Sequence, residues 1–252
     1  VIDLLAACYR NLDPYLRAFG QLPGSQLLEH DGGLASIVPS IPQASLFNSV
    51  TYDRDRPETL DLALTAAEPA YESAGVRAWG AWILDGDGAA QRIAAEHGMR
   101  LDSAPRAMGA ELSAIDLSAD TTSVIERWNM PTAAKINELA YAVGPDKFRP
   151  LGEMTPLPGA RCFIAGPSGR AAASVVTYPN GDDCGVFWVA SDPVLQGQGF
   201  AKAAMTAALK AAVNDGFETT TLQASKAGAP LYLRLGYDDL GRSVNLWEKR
   251  LK

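Results

Sequence analysis

The sequence predicts an α/β protein of the α+β kind, with mixed, mostly antiparallel sheets flanked by helices and the whole pattern present twice. Three observations predict it. In the second half, β-type and helical stretches follow one another in the order α, β, β, β, α, β, α, β. One strand of that series, Val186 to Ala190, runs into a glycine loop that opens an alanine-rich helix at once. The first half carries the same order in a worn form.

In the first half, a helix is expected from Asp3 to Phe19, then a hairpin of Ser25 to Glu29 and Leu34 to Val38 across Asp31-Gly32-Gly33. Phe47 to Tyr52 reads as a strand, Thr59 to Ala74 as a helix, Trp79 to Leu84 as a strand and Ala89 to His97 as a helix stopped by Gly98. A polar stretch, Ile115 to Thr122, suggests a boundary, giving domains 1–116 and 117–252. In the second half, Pro131 opens a helix over Thr132 to Val143 that Gly144-Pro145 stops. Arg161 to Ala165 and Ala171 to Tyr178 form a hairpin across Gly166-Pro167-Ser168-Gly169. The strand Gly185 to Ala190 precedes the loop, and the helix Lys202 to Val213 follows it. Thr219 to Ala224 is a β-branched strand, Pro230 to Leu235 a short helix capped by Gly236, and Ser243 to Arg250 the closing strand.

Composition narrows the function. The chain has 252 residues, 47% hydrophobic and 20% charged, which suits a packed core rather than disorder. No apolar run approaches the ~18–20 residues of a membrane span, and Val1-Ile2-Asp3-Leu4-Leu5 has no signal-peptide pattern, so a cytoplasmic protein with no membrane partner is expected. The three cysteines, Cys8, Cys162 and Cys184, form no C-x-x-C and read as buried free thiols. Residues 1–116 hold 8 Arg, no Lys and 16 Asp/Glu, a net of −8; residues 117–252 hold 14 Lys/Arg and 13 Asp/Glu, a net of +1. A nucleic-acid partner would want a basic face, so none is expected. The acidic half would draw a cationic amine, or it serves only to keep the surface soluble. His30 and His97 lack the company a metal site or a catalytic triad requires, so no metal is expected.

The loop is an anion site by its chemistry. The first N–H groups of a helix lack internal partners, the helix dipole adds positive charge there, and glycines let backbone approach a phosphate. A P-loop string is absent, and a G-x-G-x-x-G/A fingerprint starting at Gly197 fails because Lys202 holds its sixth position. The string that is present, Pro193-x-x-Gln196-x-x-Gly199-x-Ala201, resembles the acetyl-CoA motif Q/R-x-x-G-x-G/A of the GCN5-related N-acetyltransferase (GNAT) family, with its associated upstream proline. Leu231-Tyr232-Leu233-Arg234-Leu235-Gly236-Tyr237 resembles the family's "A-LYEKLGF" segment.

The resemblance implies two GNAT-like domains, an N-terminal one at 1–116 without a cofactor loop and a catalytic, acetyl-CoA-binding one at 117–252. The first half has Tyr52-Asp53-Arg54-Asp55-Arg56-Pro57-Glu58 where the second has the loop, with acids where an anion would sit. The implied pyrophosphate cradle is the backbone of Gly197, Gln198, Gly199, Phe200 and Ala201, with Gln196 in the place usually held by Arg or Gln. Val189 and Ala190, with Trp188 adjacent, match the strand whose backbone pairs with pantetheine and polarises the thioester carbonyl. Ser225 would contact the pantetheine arm, and Tyr232 would protonate the leaving thiolate, a phenol near pKa 10 needing little tuning. Glu138, Glu153, Asp182 and Asp183 are the acids that could face an acceptor, each also readable as a solvated surface group. The implied activity is acetyl transfer from acetyl-CoA to a primary amine, small molecule or peptide, by direct attack in a ternary complex. A non-catalytic acetyl-CoA-binding regulatory protein, or transfer of a longer acyl group, fits the same residues. The acceptor and the oligomeric state are not readable.

Overall fold

In a computed structural model the described residues, 2–251, contain seven α-helices and twelve strands. Helices are α1 (Leu4–Arg10), α2 (Leu12–Phe19), α3 (Thr59–Ser73), α4 (Gly88–Glu96), α5 (Met130–Tyr141), α6 (Phe200–Asn214) and α7 (Ala229–Leu235). Strands are β1 (Gln26–His30), β2 (Gly33–Ile37), β3 (Ser49–Val50), β4 (Ala78–Leu84), β5 (Arg100–Ser103), β6 (Arg106–Glu111), β7 (Val124–Glu126), β8 (Arg161–Ala165), β9 (Ala173–Asn180), β10 (Asp183–Ser191), β11 (Thr219–Ala224) and β12 (Asp238–Arg250).

The chain forms two compact units that do not follow sequence order. One comprises residues 2–11 with Ala107–Leu240; the other comprises Leu12–Arg106 with residues 241–251. The units meet in sequence at Arg106/Ala107, and each also takes in residues from the opposite end of the chain. The single helix expected over Asp3 to Phe19 is two helices broken at Asn11. The break has a physical cause. Pro14, in the first turn of α2, has no N–H to give the Arg10 carbonyl four residues back, so the helical ladder is interrupted there. At the junction the Asn11 side chain donates to Asp183 Oδ2 at 2.6 Å and Thr221 Oγ1 at 2.6 Å, and it accepts from Asn180 Nδ2 at 3.0 Å. Gly185 is required opposite it, since a Cβ there would stand 2.7 Å from the Asn11 carboxamide carbon.

In the unit that holds residues 107–240, β7, β8, β9 and β10 pair antiparallel in sequence, and β11 joins β10 in parallel. A parallel neighbour needs a crossover, and α6 supplies it. Helix α1 packs on β11, and α5 and α6 pack on β8–β10. The core gathers Met108, Phe163, Val175, Val186, Met205, Leu209, Leu222 and Leu235. The unit that holds 12–106 repeats the order. There β1, β2 and β3 are antiparallel, β4 joins β3 in parallel after α3, and residues 244–250 of β12 run antiparallel to β4. Tyr71 stacks on Trp79 at 5.4 Å, with Lys249 Nζ over the Trp79 ring at the same distance.

Candidate functional site

β10 and β11 are in register only over Asp183↔Thr219, Cys184↔Thr220 and Gly185↔Thr221. Both strands continue, β10 to Ser191 and β11 to Ala224. The edge of β10 from Val186 onward therefore parts from its parallel neighbour. On the other side β10 stays with β9, but the register jumps between Phe187↔Val176 and Ala190↔Ser174. Trp188 and Val189 form the bulge, and Trp188 sits at φ 56°, in the left-handed region that non-glycine residues rarely occupy. Trp188 and Val189 are half-buried and Ala190 is buried. Three residues expected to face the acyl group thus lie where the sheet is both bulged and split.

The chain then turns through Asp192, whose carboxylate accepts the Val194 N–H at 2.9 Å and an Arg170 Nη2–H at 2.7 Å. The Arg170 guanidinium, with the Val194 N–H second, holds the Asp192 carboxyl below the usual carboxylate range. After the 3-10 turn Pro193–Leu195 come Gln196, Gly197, Gln198 and Gly199, all exposed. Gly197 and Gly199 lie at φ 80° and 85°, a conformation that L side chains resist. Gly199 is the N-cap of α6 and no side chain caps that end, so the first-turn N–H groups at Phe200 and Ala201 are left for another acceptor. A bound phosphate fits that arrangement: uncovered amides, no Cβ in the way, and a 15-residue helix behind them.

Tyr232 lies in α7, buried, in edge contact with Tyr237 at 5.9 Å. Burial, with the Tyr141 phenol second, raises its pKa well above 10. This corrects the expectation of an untuned phenol: the group stays neutral at all working pH but is the weaker acid. Gly228 brings Ser225 and Tyr232 together, since a Cβ there would stand 3.3 Å from Ser225 Oγ and 3.4 Å from Tyr232 Oη. Ser225 is exposed at the end of β11, and its Oγ accepts the Gly228 N–H at 3.1 Å.

The candidate acids separate. Asp183 is buried rather than solvated, and it accepts from Asn11, Thr219 Oγ1 at 2.6 Å and Thr221 Oγ1 at 2.8 Å. Glu138 caps the Phe148 N–H at 2.5 Å. Asp182 and Glu153 are exposed. His97 lies between Asp61 (2.9 Å) and Glu68 (3.3 Å) at the end of α4. All three cysteines are free and buried, and burial pushes the Cys8 and Cys184 thiols to about 12 and Cys162 to about 11. No helix among the described residues is long and apolar enough to cross a membrane, and no three His, Cys, Asp or Glu among them are grouped to hold a metal ion.

Two residues at the bulge escaped the sequence. Ser174 Oγ donates to the Trp188 carbonyl at 2.8 Å, and Asn137 Nδ2 reaches the same oxygen at 3.5 Å and Ser174 Oγ at 3.3 Å. An asparagine in the middle of a helix was the available signal, since that residue is a poor helix former without a specific bond.

Residues 128–237 match the model of the acetyltransferase (GNAT) family. No curated protein matches the chain. Among solved structures, the chain is similar to a GCN5-related N-acetyltransferase from Kribbella flavida, at TM-score 0.67 and 15% identity, covering 95% of each chain. It is also similar to a GCN5-related N-acetyltransferase from Sphaerobacter thermophilus, at TM-score 0.58 and 16% identity, over 97% of this chain and 91% of that one. A tandem GNAT protein from the clavulanic acid biosynthesis pathway aligns at TM-score 0.56 and 12% identity, over 96% and 95%. The fold is the mixed α/β GNAT fold.

Proposed function

We propose that this protein is an N-acetyltransferase that moves an acetyl group from acetyl-CoA to a primary amine, with residues 117–252 as the catalytic part and the first half as a GNAT-like partner without a cofactor loop. One observation carries the reading: the parted and bulged end of β10 leads directly into the uncapped glycine start of α6. A thioester arm in the split of the sheet and a pyrophosphate on the helix start would be held by one continuous stretch of chain. The family match over 128–237 contains both features, and the repeated element order supports the tandem reading.

The N–H groups of Gly197 to Ala201 bind the pyrophosphate, and Gln196 flanks it. Val189 and Ala190, with Trp188 beside them, align the thioester arm, and a backbone N–H there stabilises negative charge on the acyl oxygen. Acetyl-CoA supplies the activated acyl carbon. The neutral amine forms the new C–N bond, the C–S bond breaks, and the amine's surplus proton leaves to solvent. Tyr232 donates a hydrogen bond to the departing sulfur as charge builds there. As the weaker acid, it delivers a proton in concert with C–S cleavage rather than ahead of it, and the resulting phenolate recovers a proton from solvent, which balances the one the amine released. Ser225, close to Tyr232, contacts the pantetheine arm.

The test pairs calorimetric titration with a CoA-release assay over a panel of amines. The native protein should bind acetyl-CoA and release CoA with at least one amine, and Gly199→Val should bind none. A branched side chain at φ 85° is strained by about 1–2 kcal/mol, which displaces the cradle; circular dichroism confirms that the variant is folded. Binding without release across the panel would mean a sensor of acetyl-CoA, release only with longer acyl-CoA would change the donor, and unchanged affinity in Gly199→Val would remove the loop from the site.

A further inference from the structure

Asn137 and Ser174 are buried polar residues with no place in the reaction above, and both reach one atom, the Trp188 carbonyl oxygen. That oxygen belongs to the same peptide unit as the Val189 N–H. The peptide is trans, as are all those described, and in a planar trans peptide the C=O and N–H point in opposite directions. Fixing the carbonyl toward Ser174 on β9 and Asn137 on α5 therefore fixes the N–H away from them. The strand that would have bonded this part of β10 on its far side has already parted after Gly185. Left-handed backbone at a tryptophan also costs about 1–3 kcal/mol, and persists only where its surroundings determine it.

We infer that Asn137 and Ser174 are positioning residues, which hold the Trp188–Val189 peptide inverted so that its N–H is presented to the acyl carbonyl oxygen of the bound thioester. This rests on the transferase reading. The network is ordered by its own bonds: Asn137 Nδ2 also donates to Ala133 O at 2.9 Å, one turn back in α5. One amide hydrogen is thereby committed to the helix, and the other is shared between Ser174 Oγ at 3.3 Å and the Trp188 oxygen at 3.5 Å. The Ser174 hydroxyl hydrogen makes the short bond. Asn137 thus ties helix α5 to the donor peptide.

The test needs no acceptor amine. Carbonyl-labelled acetyl-CoA is bound to the native protein, S174A, N137L and S174T, and the thioester stretch is read by difference infrared spectroscopy. In the native protein and S174T, which keeps the hydroxyl, the band should lie below that of free acetyl-CoA; in S174A and N137L it should return toward the free position. Calorimetry should show acetyl-CoA affinity down about three- to tenfold in S174A and N137L, the loss of one hydrogen bond, with affinity for CoA, which lacks the carbonyl, unchanged. A merely structural role would weaken both ligands together. An unshifted band pattern across the variants would overturn the inference alone, and so would equal losses for CoA and acetyl-CoA. A native protein that binds neither ligand would overturn the transferase reading with it.

Discussion

At the scale of single residues, the proposed reaction turns on one phenol. Tyr232 is shifted upward by burial and then by Tyr141. A raised pKa means that the folded state favours the neutral form, so this contribution to stability is fully present below about pH 10 and is lost as pH rises through the folded value. Tyr232 therefore produces no limb in a pH–rate profile over the neutral range. Tyr232→Phe should lower kcat about 10²-fold or more, the usual size of a lost acid, with acetyl-CoA affinity unchanged. Steady-state kinetics with the best amine, alongside calorimetry, checks the split. An unchanged kcat would remove Tyr232 from the mechanism.

At the scale of elements, the turn into the glycine loop is built by Asp192. It caps the 3-10 turn through the Val194 N–H, pairs with Arg170, and is itself nearly buried, while Arg170 is half-exposed. Asp192→Ala should cost about 0.5–2 kcal/mol, the range for a lost cap, read as a lower urea midpoint with unchanged slope, and should weaken acetyl-CoA binding by loosening the loop. Because the folded pKa is depressed, the stabilisation is present above the unfolded value near 3.8 and is lost as pH falls through the folded value. Much of this element was legible in the chain. Strand, glycines and helix start are local features, and strand β8 is predicted residue for residue. The bulge was not legible, because nothing in Phe187-Trp188-Val189 signals a left-handed tryptophan. What holds it comes from Asn137 and Ser174, 51 and 14 residues earlier. The break at Asn11 was signalled locally, by Pro14, although the partners of the Asn11 side chain lie 172 and 210 residues away. Strands β5 and β6 escaped because β5 is exposed at every position, so no apolar alternation marks it, and the buried interior of β6 is Ala107-Met108-Gly109-Ala110, where alanine and glycine have low β-propensity.

At the scale of the whole molecule, the repeated order raises the question of how many cofactors one chain takes. Both units place a helix crossover between parallel strands, α3 between β3 and β4 and α6 between β10 and β11. The two helix starts differ in their chemistry. β3 is two residues long and pairs Ser49 and Val50 with β4, and no residue from Thr51 to Glu58 has positive φ. Where glycine amides would face an anion, Asp53 and Asp31 stand as carboxylates held below their usual pKa by Arg56. The guanidinium is already engaged, at 2.7 and 2.9 Å to Asp31 and 2.8 Å to Asp53. A pyrophosphate arriving there would meet two negative charges and a cation already paired, and like charge at such a site is repulsive. Titration with acetyl-CoA should therefore saturate at one equivalent per chain, and Arg56→Ala should leave that value unchanged. Saturation at two equivalents would mean that the acidic turn before α3 binds the cofactor by some means other than a glycine cradle, and that the first half is a second active copy.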